Sequence, residues 1–166
     1  HRLSRTDGRL AMAISDFARD NIHVPAEVTA LIAEYAHVID GGRYEEWPAL
    51  FTDPCLYRIT TRENEDRGLP LSIILCDSRG MLLDRVVSIR TANVFIPHSY
   101  RHMLSCIQLM ESATDEWWVR SNYLVIRTMP DGSLCVFSTG EYRDHVVMET
   151  GEPKFRERVV ICDHSM

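Results

Sequence analysis

The second half of the chain constrains the fold most, because it consists of four long segments with the composition of β-strands. These segments span residues 102–111, 116–129, 133–150 and 154–162. Only short stretches rich in Ser, Asp, Pro and Gly separate them, as is typical of tight turns. Strands joined by short turns are antiparallel neighbours, so the sequence predicts a four-stranded meander. Gly140 in the third segment indicates a bend or a bulge, which a strongly curved sheet needs.

Three segments of the first half have the spacing of helices. Apolar residues recur every three or four positions over 28–39, which predicts an amphipathic helix that buries one face. Residues 43–51 predict a shorter second helix. Residues 79–91 predict a third helix, with Asp77 or Ser78 as its N-cap.

Two strand-like segments, 55–61 and 71–76, lie between the second and third predicted helices, and a charged loop over 62–70 joins them. With the meander they bring the sheet to about six strands. Helices early and long strands late are the order of an α+β protein. The sequence therefore predicts an α+β fold in which three N-terminal helices pack on a strongly curved, mostly antiparallel sheet.

Length and the position of Pro25 divide the chain into an arm and one domain. The chain has 166 residues, close to the commonest size of a single domain. We interpret residues 1–24 as an N-terminal arm and residues 25–166 as a single domain. No stretch approaches the roughly 18 apolar residues of a membrane span, and no signal-peptide core is present, so we expect neither.

Charge and cysteine content exclude several classes of protein. The formal net charge is −6, from 18 basic and 24 acidic residues, so the chain lacks the basic surplus of a nucleic-acid-binding protein. The five cysteines form no CxxC pair, which argues against zinc-ribbon and thioredoxin-type motifs. Their odd number and wide spacing also argue against a disulfide framework and favour a reducing cytoplasm. We expect these thiols to behave as small core hydrophobes.

Two short motifs resemble parts of metal sites, but neither is complete. His98 and His102 have the i, i+4 spacing of ligands on a helix, yet they follow Pro97 and enter a predicted strand. Cys162 and His164 form CxH, one half of a Rieske ligand set, and no CxxH supplies the other half. The sequence therefore predicts no metal site in this chain.

Both faces of the predicted sheet carry large apolar side chains. Trp117 and Trp118 are adjacent in one strand and must point to opposite faces, and the same holds for Val146 and Val147. The helices can cover only one of these faces. We predict that another protein chain covers part of the second face; an edge loop or the N-terminal arm is the alternative.

A set of polar side chains is the basis of an alternative function. A buried carboxylate beside tyrosine donors suits proton abstraction from a small carbon acid, as in an isomerase or a dehydratase. The ordinary interpretation is that these residues cap helices, form ion pairs and satisfy polar groups of the core. The candidate pocket residues are Tyr35, Tyr57, Asp77, Asp84, His102 and Glu141.

Residues spread over 28–164 carry a resemblance to a known family. They are Tyr35, Ile39-Asp40, Trp47, Leu50-Phe51, Cys55-Leu56-Tyr57-Arg58, Asp77, Leu82, Asp84-Arg85, Pro97-His98-Ser99-Tyr100-Arg101-His102, Gly140-Glu141-Tyr142, Glu157-Arg158 and Cys162-Asp163. The order of elements is similar to the cone-shaped α+β fold of nuclear transport factor 2 (NTF2) and ketosteroid isomerase. Within that NTF2-like superfamily, the segments resemble the small (β) subunits of aromatic-ring-hydroxylating dioxygenases.

The resemblance implies a non-catalytic, structural subunit of a terminal oxygenase component. In such enzymes the large subunit holds a Rieske 2Fe-2S cluster and a mononuclear Fe(II), and NAD(P)H supplies electrons through a reductase or ferredoxin. Three large and three small subunits assemble in the cytoplasm, the small ones as a trimer. Residues 60–73 and 100–105 are most similar to subunits that act on salicylate, anthranilate, halobenzoate or terephthalate.

The resemblance implies interface residues rather than catalytic, metal-binding or cofactor-binding ones. Aromatic residues and arginine dominate interface energetics, so the candidates follow from residue type. Two departures from the family pattern are the arm and Phe95, where we expect Trp. A free-standing isomerase or dehydratase that uses the pocket above and a dimeric binding module are the alternatives. The interface candidates are Tyr100, Arg101, His102, Trp117 and Trp118.

Overall fold

Helices and six strands follow one another in nearly the predicted order. The structure is a computed structural model and describes residues 23–93 and 98–164. The elements are helix α1 (Ala26–Asp40), a 3₁₀ helix (Tyr44–Leu50), strand β1 (Phe51–Thr61), short helix α2 (Arg62–Asp66), β2 (Ile74–Cys76), helix α3 (Arg79–Asn93), β3 (Ser99–Ala113), β4 (Glu116–Thr128), β5 (Leu134–Glu149) and β6 (Glu152–Cys162). Of the predicted arm, 1–24, only His23 and Val24 are among the described residues. Phe95 also lies outside them.

The six strands form one mixed sheet in the order β2-β1-β6-β5-β4-β3. The last four strands are the predicted antiparallel meander, and β1 joins it in parallel beside β6. β2 pairs antiparallel with β1 and forms one edge of the sheet, while β3 forms the other. This confirms the predicted α+β class and the mostly antiparallel sheet.

Register shifts bend the long strands. They interrupt the pairing of β3 with β4, of β4 with β5 and of β5 with β6. Extra residues at such points increase the local twist and curve a sheet. Cys106, in one of the irregular stretches of β3, has a positive φ of 53°.

Gly140 allows β5 to lie close to its neighbouring strands. A Cβ at this position would overlap the carbonyl oxygen of Ile161 in β6 and would lie 3.0 Å from the ring of Tyr123. The glycine thus lets β4, β5 and β6 pack tightly at the centre of the sheet.

The two long helices bury the stripes that the sequence predicts. α1 buries Val28, Leu31, Ile32, Tyr35, Ala36 and Val38 against the sheet. α3 buries Leu82 and Val86, and the hydroxyl oxygen of Ser78 accepts a hydrogen bond from the backbone N–H of Met81 at its start. The predicted helix over 43–51 is of the 3₁₀ type and contains Pro48, whose missing N–H prevents a regular α-helical ladder.

The charged segment after β1 differs from the prediction of a loop. Residues 62–66 form one helical turn, because the Thr61 hydroxyl accepts a hydrogen bond from the N–H of Asn64 and Arg67 pairs with Glu63 one turn earlier. β2 is also shorter than predicted. It forms only where Ile74–Cys76 lie opposite residues 57–59 of β1.

The cysteines divide into two groups. Cys55, Cys76 and Cys162 are buried as predicted, and burial raises the pKa of the Cys55 thiol to about 11. Cys106 and Cys135 are exposed, so the prediction that they are core hydrophobes is wrong. Cys106 lies in an irregular stretch in the middle of β3, and Cys135 lies near the start of β5; strand composition alone does not reveal their exposure.

A buried ion pair joins β5 and β6 beneath α1. Nε and Nη2 of Arg158 each donate to one carboxylate oxygen of Asp144 at 2.7 Å, and both side chains are fully buried. The rings of Tyr35, Tyr142 and Phe155 surround the guanidinium at 4.0–4.3 Å from its Cζ. Bidentate geometry and cation–π contacts offset the desolvation of the two charges.

Each member of the pair changes the pKa of the other. Burial lowers the pKa of Arg158, but the charge and hydrogen bonds of Asp144 outweigh this effect, so the pKa is raised overall. Burial raises the pKa of Asp144, and the neighbouring guanidinium opposes that rise. Each charge therefore depends on the other.

We expect Asp144→Asn to lower the free energy of unfolding by about 3–5 kcal/mol, because Arg158 would keep a buried charge without a counter-ion. Urea unfolding monitored by circular dichroism measures the change. Glu141→Gln is the control, since Glu141 pairs with the half-exposed Arg143 and should contribute less than about 1 kcal/mol. A loss no larger than that of the control would contradict the prediction.

We expect Gly140→Ala to destabilise the chain by about 1–3 kcal/mol or more, because the added methyl overlaps the backbone of β6. Gly80→Ala is the matched change in α3, where the nearest heavy atom is 3.8 Å from the added carbon. That variant should be neutral or stabilised, since alanine favours helix. Equal melting temperatures for the two variants would refute the close-approach explanation.

Candidate subunit surfaces and interior cavity

A cavity of about 400 Å³ lies between the helices and the sheet. α1, the 3₁₀ helix and α3 line one side, and β1 to β5 contribute the other. Aromatic rings and branched aliphatic side chains make up most of the wall. Polar side chains also line it, among them Arg85, Ser88, His98 and His102.

Asp40 and His102 form a hydrogen-bonded pair at this cavity. Asp40, the last residue of α1, accepts from the backbone N–H of His102 at 2.8 Å and contacts its ring Nδ1 at 2.6 Å. Both side chains are at most 10% exposed. A carboxylate at a helix C-terminus faces the negative end of the helix dipole, so these two contacts to β3 compensate for an unfavourable position.

Two tyrosine hydroxyls meet on the same side of the core. Tyr35 of α1 and Tyr57 of β1 lie 3.2 Å apart through their hydroxyl oxygens, and both line the cavity. Burial raises the pKa of both tyrosines, well above the ordinary value for Tyr57. Both hydroxyls therefore stay protonated, and one donates to the other in the hydrogen bond they share.

The structure brings together three of the six predicted pocket residues. Tyr35, Tyr57 and His102 line the cavity. Asp77 and Asp84 are exposed at α3, and Glu141 lies on the opposite face of the sheet beside Arg143. Asp40, which the pocket prediction omitted, pairs with His102 but is not itself among the residues that line the cavity. Its place at the end of the apolar stripe of α1 is the sequence signal that could have identified it.

The outer face of the sheet, which points away from the long helices, is charged at its centre. A shallow depression of about 470 Å³ there is lined by charged side chains of both signs. Arg143 bridges Glu65 and Glu141, and Arg58 also pairs with Glu65. The charged side chains in this part of the face therefore already pair with one another.

The two adjacent tryptophans lie on opposite faces, as predicted. Trp117 packs against the core cluster. Trp118 lies on the outer face and stacks on His145, with ring centroids 4.3 Å apart. Nε2 of His145 contacts Glu116 at 2.7 Å, so a histidine–carboxylate pair occurs on this face as well.

One end of the outer face is apolar and uncovered in the described residues. Arg101 lies opposite Ile126, which lies opposite Val136, and Met103 lies opposite Leu124. Alternation along the strands places these side chains on the same face as Trp118. Met103, Val136 and Leu134 are 57%, 62% and 68% exposed. We call this surface the outer patch; it comprises Arg101, Met103, Leu124, Ile126, Leu134 and Val136.

The described residues contain no group of three or more His, Cys, Asp or Glu that could hold a metal ion. His102 already contacts Asp40 through Nδ1. Cys162 is buried and accepts a hydrogen bond from the Tyr123 hydroxyl, whereas His164 is exposed. These donor sets do not fit a Rieske cluster or a mononuclear iron. No helix within 23–93 or 98–164 has the length and apolarity to span a membrane.

The five interface candidates are distributed over both faces. Arg101 and Trp118 lie on the outer face. Tyr100 and His102 line the cavity, and Trp117 packs on the core. That these five residues contact another subunit stays a prediction.

Comparison with known proteins assigns the family. The sequence model of the family "Ring hydroxylating beta subunit" matches residues 34–166. The chain is 39% identical over 139 residues to the small subunit of anthranilate 1,2-dioxygenase from Burkholderia cepacia, covering 84% of this chain and 86% of the relative. It is 34% identical over 140 residues to subunit beta 2 of the terminal oxygenase component of terephthalate 1,2-dioxygenase from Comamonas. This match covers 84% of this chain and 91% of the relative.

A solved structure agrees with these relatives. The β subunit of a candidate aromatic-ring-hydroxylating dioxygenase from Novosphingobium aromaticivorans superposes with a TM-score of 0.78 at 35% identity, covering 85% of this chain and 90% of that one. The family resemblance predicted from the sequence, including its α+β cone, is thereby confirmed. The chain belongs to the ring-hydroxylating β subunits, the structural small subunits of aromatic-ring-hydroxylating oxygenases.

Proposed function

We propose that this chain is the non-catalytic small subunit of an oxygenase that hydroxylates an aromatic acid. The observation that carries the proposal is the 39% identity with an anthranilate dioxygenase small subunit, beside 34% with a terephthalate dioxygenase subunit. Anthranilate, terephthalate, salicylate and related benzoates share a carboxylated ring. The substrate class is therefore a carboxylated benzene.

The iron centres belong to the large subunit in this proposal. The donor sets of the described residues do not fit a Rieske 2Fe-2S cluster or a mononuclear Fe(II) site. The large subunit would supply both and would receive electrons from NAD(P)H through a reductase or ferredoxin. Three copies of each subunit would assemble in the cytoplasm, with the small subunits as a trimer. Residues 25–166 would form the domain of each copy, preceded by the arm.

The outer patch is the proposed contact with the large subunit. Met103 and Arg101 are of the residue types enriched at interfaces, and the exposed Leu134 and Val136 add apolar surface beside them. Burying apolar surface contributes about 25 cal/mol per Å². The charged centre of the outer face would then lie at the rim, where ion pairs stay hydrated.

The other four interface candidates lie outside the outer patch. Trp118 lines the charged depression of the outer face, where it stacks on His145, and would extend the contact. Tyr100 and His102 reach the cavity, and Trp117 reaches the core. These three would support the strands that carry the contact rather than enter it fully.

We expect Val136→Glu, made in the chain co-expressed with its large subunit, to abolish co-purification of the two subunits, because it places a charge in the outer patch. Val87→Glu is the matched control, since Val87 is 66% exposed on α3, on the other side of the molecule. Size-exclusion chromatography of the tagged complex measures the outcome. Loss of the complex with Val87→Glu but not with Val136→Glu would contradict the proposed surface.

We expect the purified chain to be colourless and to contain no stoichiometric iron, and its complex with the large subunit to show iron–sulfur absorption. With electron donors, that complex should consume oxygen in the presence of anthranilate or terephthalate and not with unsubstituted benzene. Optical spectra, metal analysis and oxygen uptake are the measurements. Iron–sulfur absorption of the isolated chain would overturn the proposed division of roles.

A further inference from the structure

The β2 edge of the sheet carries a second set of exposed apolar side chains. Leu69, Leu71, Ile73 and Leu75 alternate along the segment that leads into and forms β2, and they are 37%, 58%, 43% and 51% exposed. We call these four residues the edge ladder. The intervening Ile74 packs on the core cluster, so one side of the segment faces the core and the other faces solvent.

Hydrogen bonds to β1 hold the edge ladder in place. The N–H of Ile73 donates to the carbonyl oxygen of Ile59 at 2.7 Å. The carbonyl oxygen of Leu71 accepts from the Thr60 hydroxyl at 2.8 Å. These apolar side chains are therefore exposed on a segment that is bonded to the sheet.

The segment lacks the charges that usually protect a free edge. Residues 69–76 contain no charged side chain, and in the described residues β2 pairs with a strand only on its β1 side. Unpaired N–H and C=O groups beside alternating apolar side chains favour pairing with another chain. A protein partner that covers the edge ladder would remove this exposure.

A charged band separates the edge ladder from the outer patch. Leu75 lies opposite Arg58 in the sheet. Arg58 pairs with Glu65, and Glu65 pairs in turn with Arg143 on β5. A single partner that bridged both apolar surfaces would bury these ion pairs, and the desolvation of charges is costly. The two surfaces therefore favour two different partners.

Two other occupants fit the edge ladder less well than a second copy of the chain. The outer patch already provides the proposed contact with the large subunit. The arm joins the domain at Val24, which packs on the core cluster, whereas the edge ladder faces solvent at the sheet edge. A ring of three identical subunits joins unlike surfaces of neighbouring copies, so it needs a surface beyond the one that the large subunit contacts.

We propose that the edge ladder is the surface through which one copy of this chain contacts a second copy. This inference rests on the proposed function, in which three small subunits associate, and it adds the surface that joins them. The outer patch then contacts the large subunit, and the edge ladder contacts the neighbouring small subunit. Association of the small subunits does not require the large subunit.

The test is the molar mass of the isolated full chain, measured by size-exclusion chromatography with light scattering over a dilution series. We expect three times the mass of one chain, which is 19.1 kDa. Leu75→Glu should weaken the association at least about tenfold, because it removes an apolar side chain from the contact and places a charge there. The new carboxylate would lie opposite Arg58, so we expect the fold to remain intact.

Leu83→Glu is the matched control. Leu83 is 52% exposed on α3, so the same change is made at nearly the same exposure as at Leu75. The control should keep the mass of the unchanged chain at every concentration. Leu71→Glu is a second variant of the edge ladder and should act as Leu75→Glu does. Melting curves show which variants are folded, and the comparison uses those.

A chain that is monomeric at micromolar concentration would overturn the proposal, and so would folded ladder variants that keep the unchanged mass. If those variants also lost co-purification with the large subunit, the edge ladder would belong to the large-subunit contact instead. If they kept it, the arm would be the remaining occupant.

The outer-patch variant separates this inference from the proposed function. Isolated Val136→Glu should keep the mass of the unchanged chain, although it should not co-purify with the large subunit. A monomeric Val136→Glu would contradict the assignment of the two surfaces to two partners. Retention of the large subunit by Val136→Glu would count against the proposed function alone.

Discussion

The buried pair between Arg158 and Asp144 is the interaction on which most of the structure depends. It links two neighbouring strands at the centre of the sheet, and the ring of Tyr35 from α1 lies on its guanidinium. A shift in the register of β5 against β6 would leave one charge buried without its partner, so the pair disfavours alternative pairings. Tyr35 in turn meets Tyr57 of β1, and the same helix ends at Asp40, which holds His102 of β3. One polar centre thus positions both sides of the cavity.

The two faces of the sheet serve different purposes. The helix side encloses the core and a cavity whose polar groups point inward. The outer side satisfies its own charges at the centre, through Arg143 and Glu65, and leaves an apolar surface at the end where β3, β4 and β5 meet. This division is consistent with a family member that uses its exterior for assembly.

Local patterns explain which elements could be predicted. The stripe of α1, the cap of α3 and the long strands of the meander depend on spacing and turn residues within short stretches of chain, and they are confirmed. The helical turn after β1 escaped prediction because its charged composition is equally typical of a loop, and only Thr61 signals its start. The exposure of Cys106 and Cys135 was not predicted, because exposure depends on which parts of the strands other elements cover. The candidate pocket was half right: its two tyrosines and its histidine line one cavity, but none of its three carboxylates does.

The sequence by itself determined the α+β class, the family and the opposite orientation of Trp117 and Trp118, because periodicity, turn residues and matching segments are properties of the chain in order. Only the tertiary structure decided which distant residues meet. The parallel pairing of β1 with β6, the ion pair inside the aromatic cage, and the contact of Asp40 with His102 across 62 positions all depend on how the sheet curves beneath the helices. Burial of charge and the exclusion of water select those partners, and neither is encoded in the spacing of residues along a single segment.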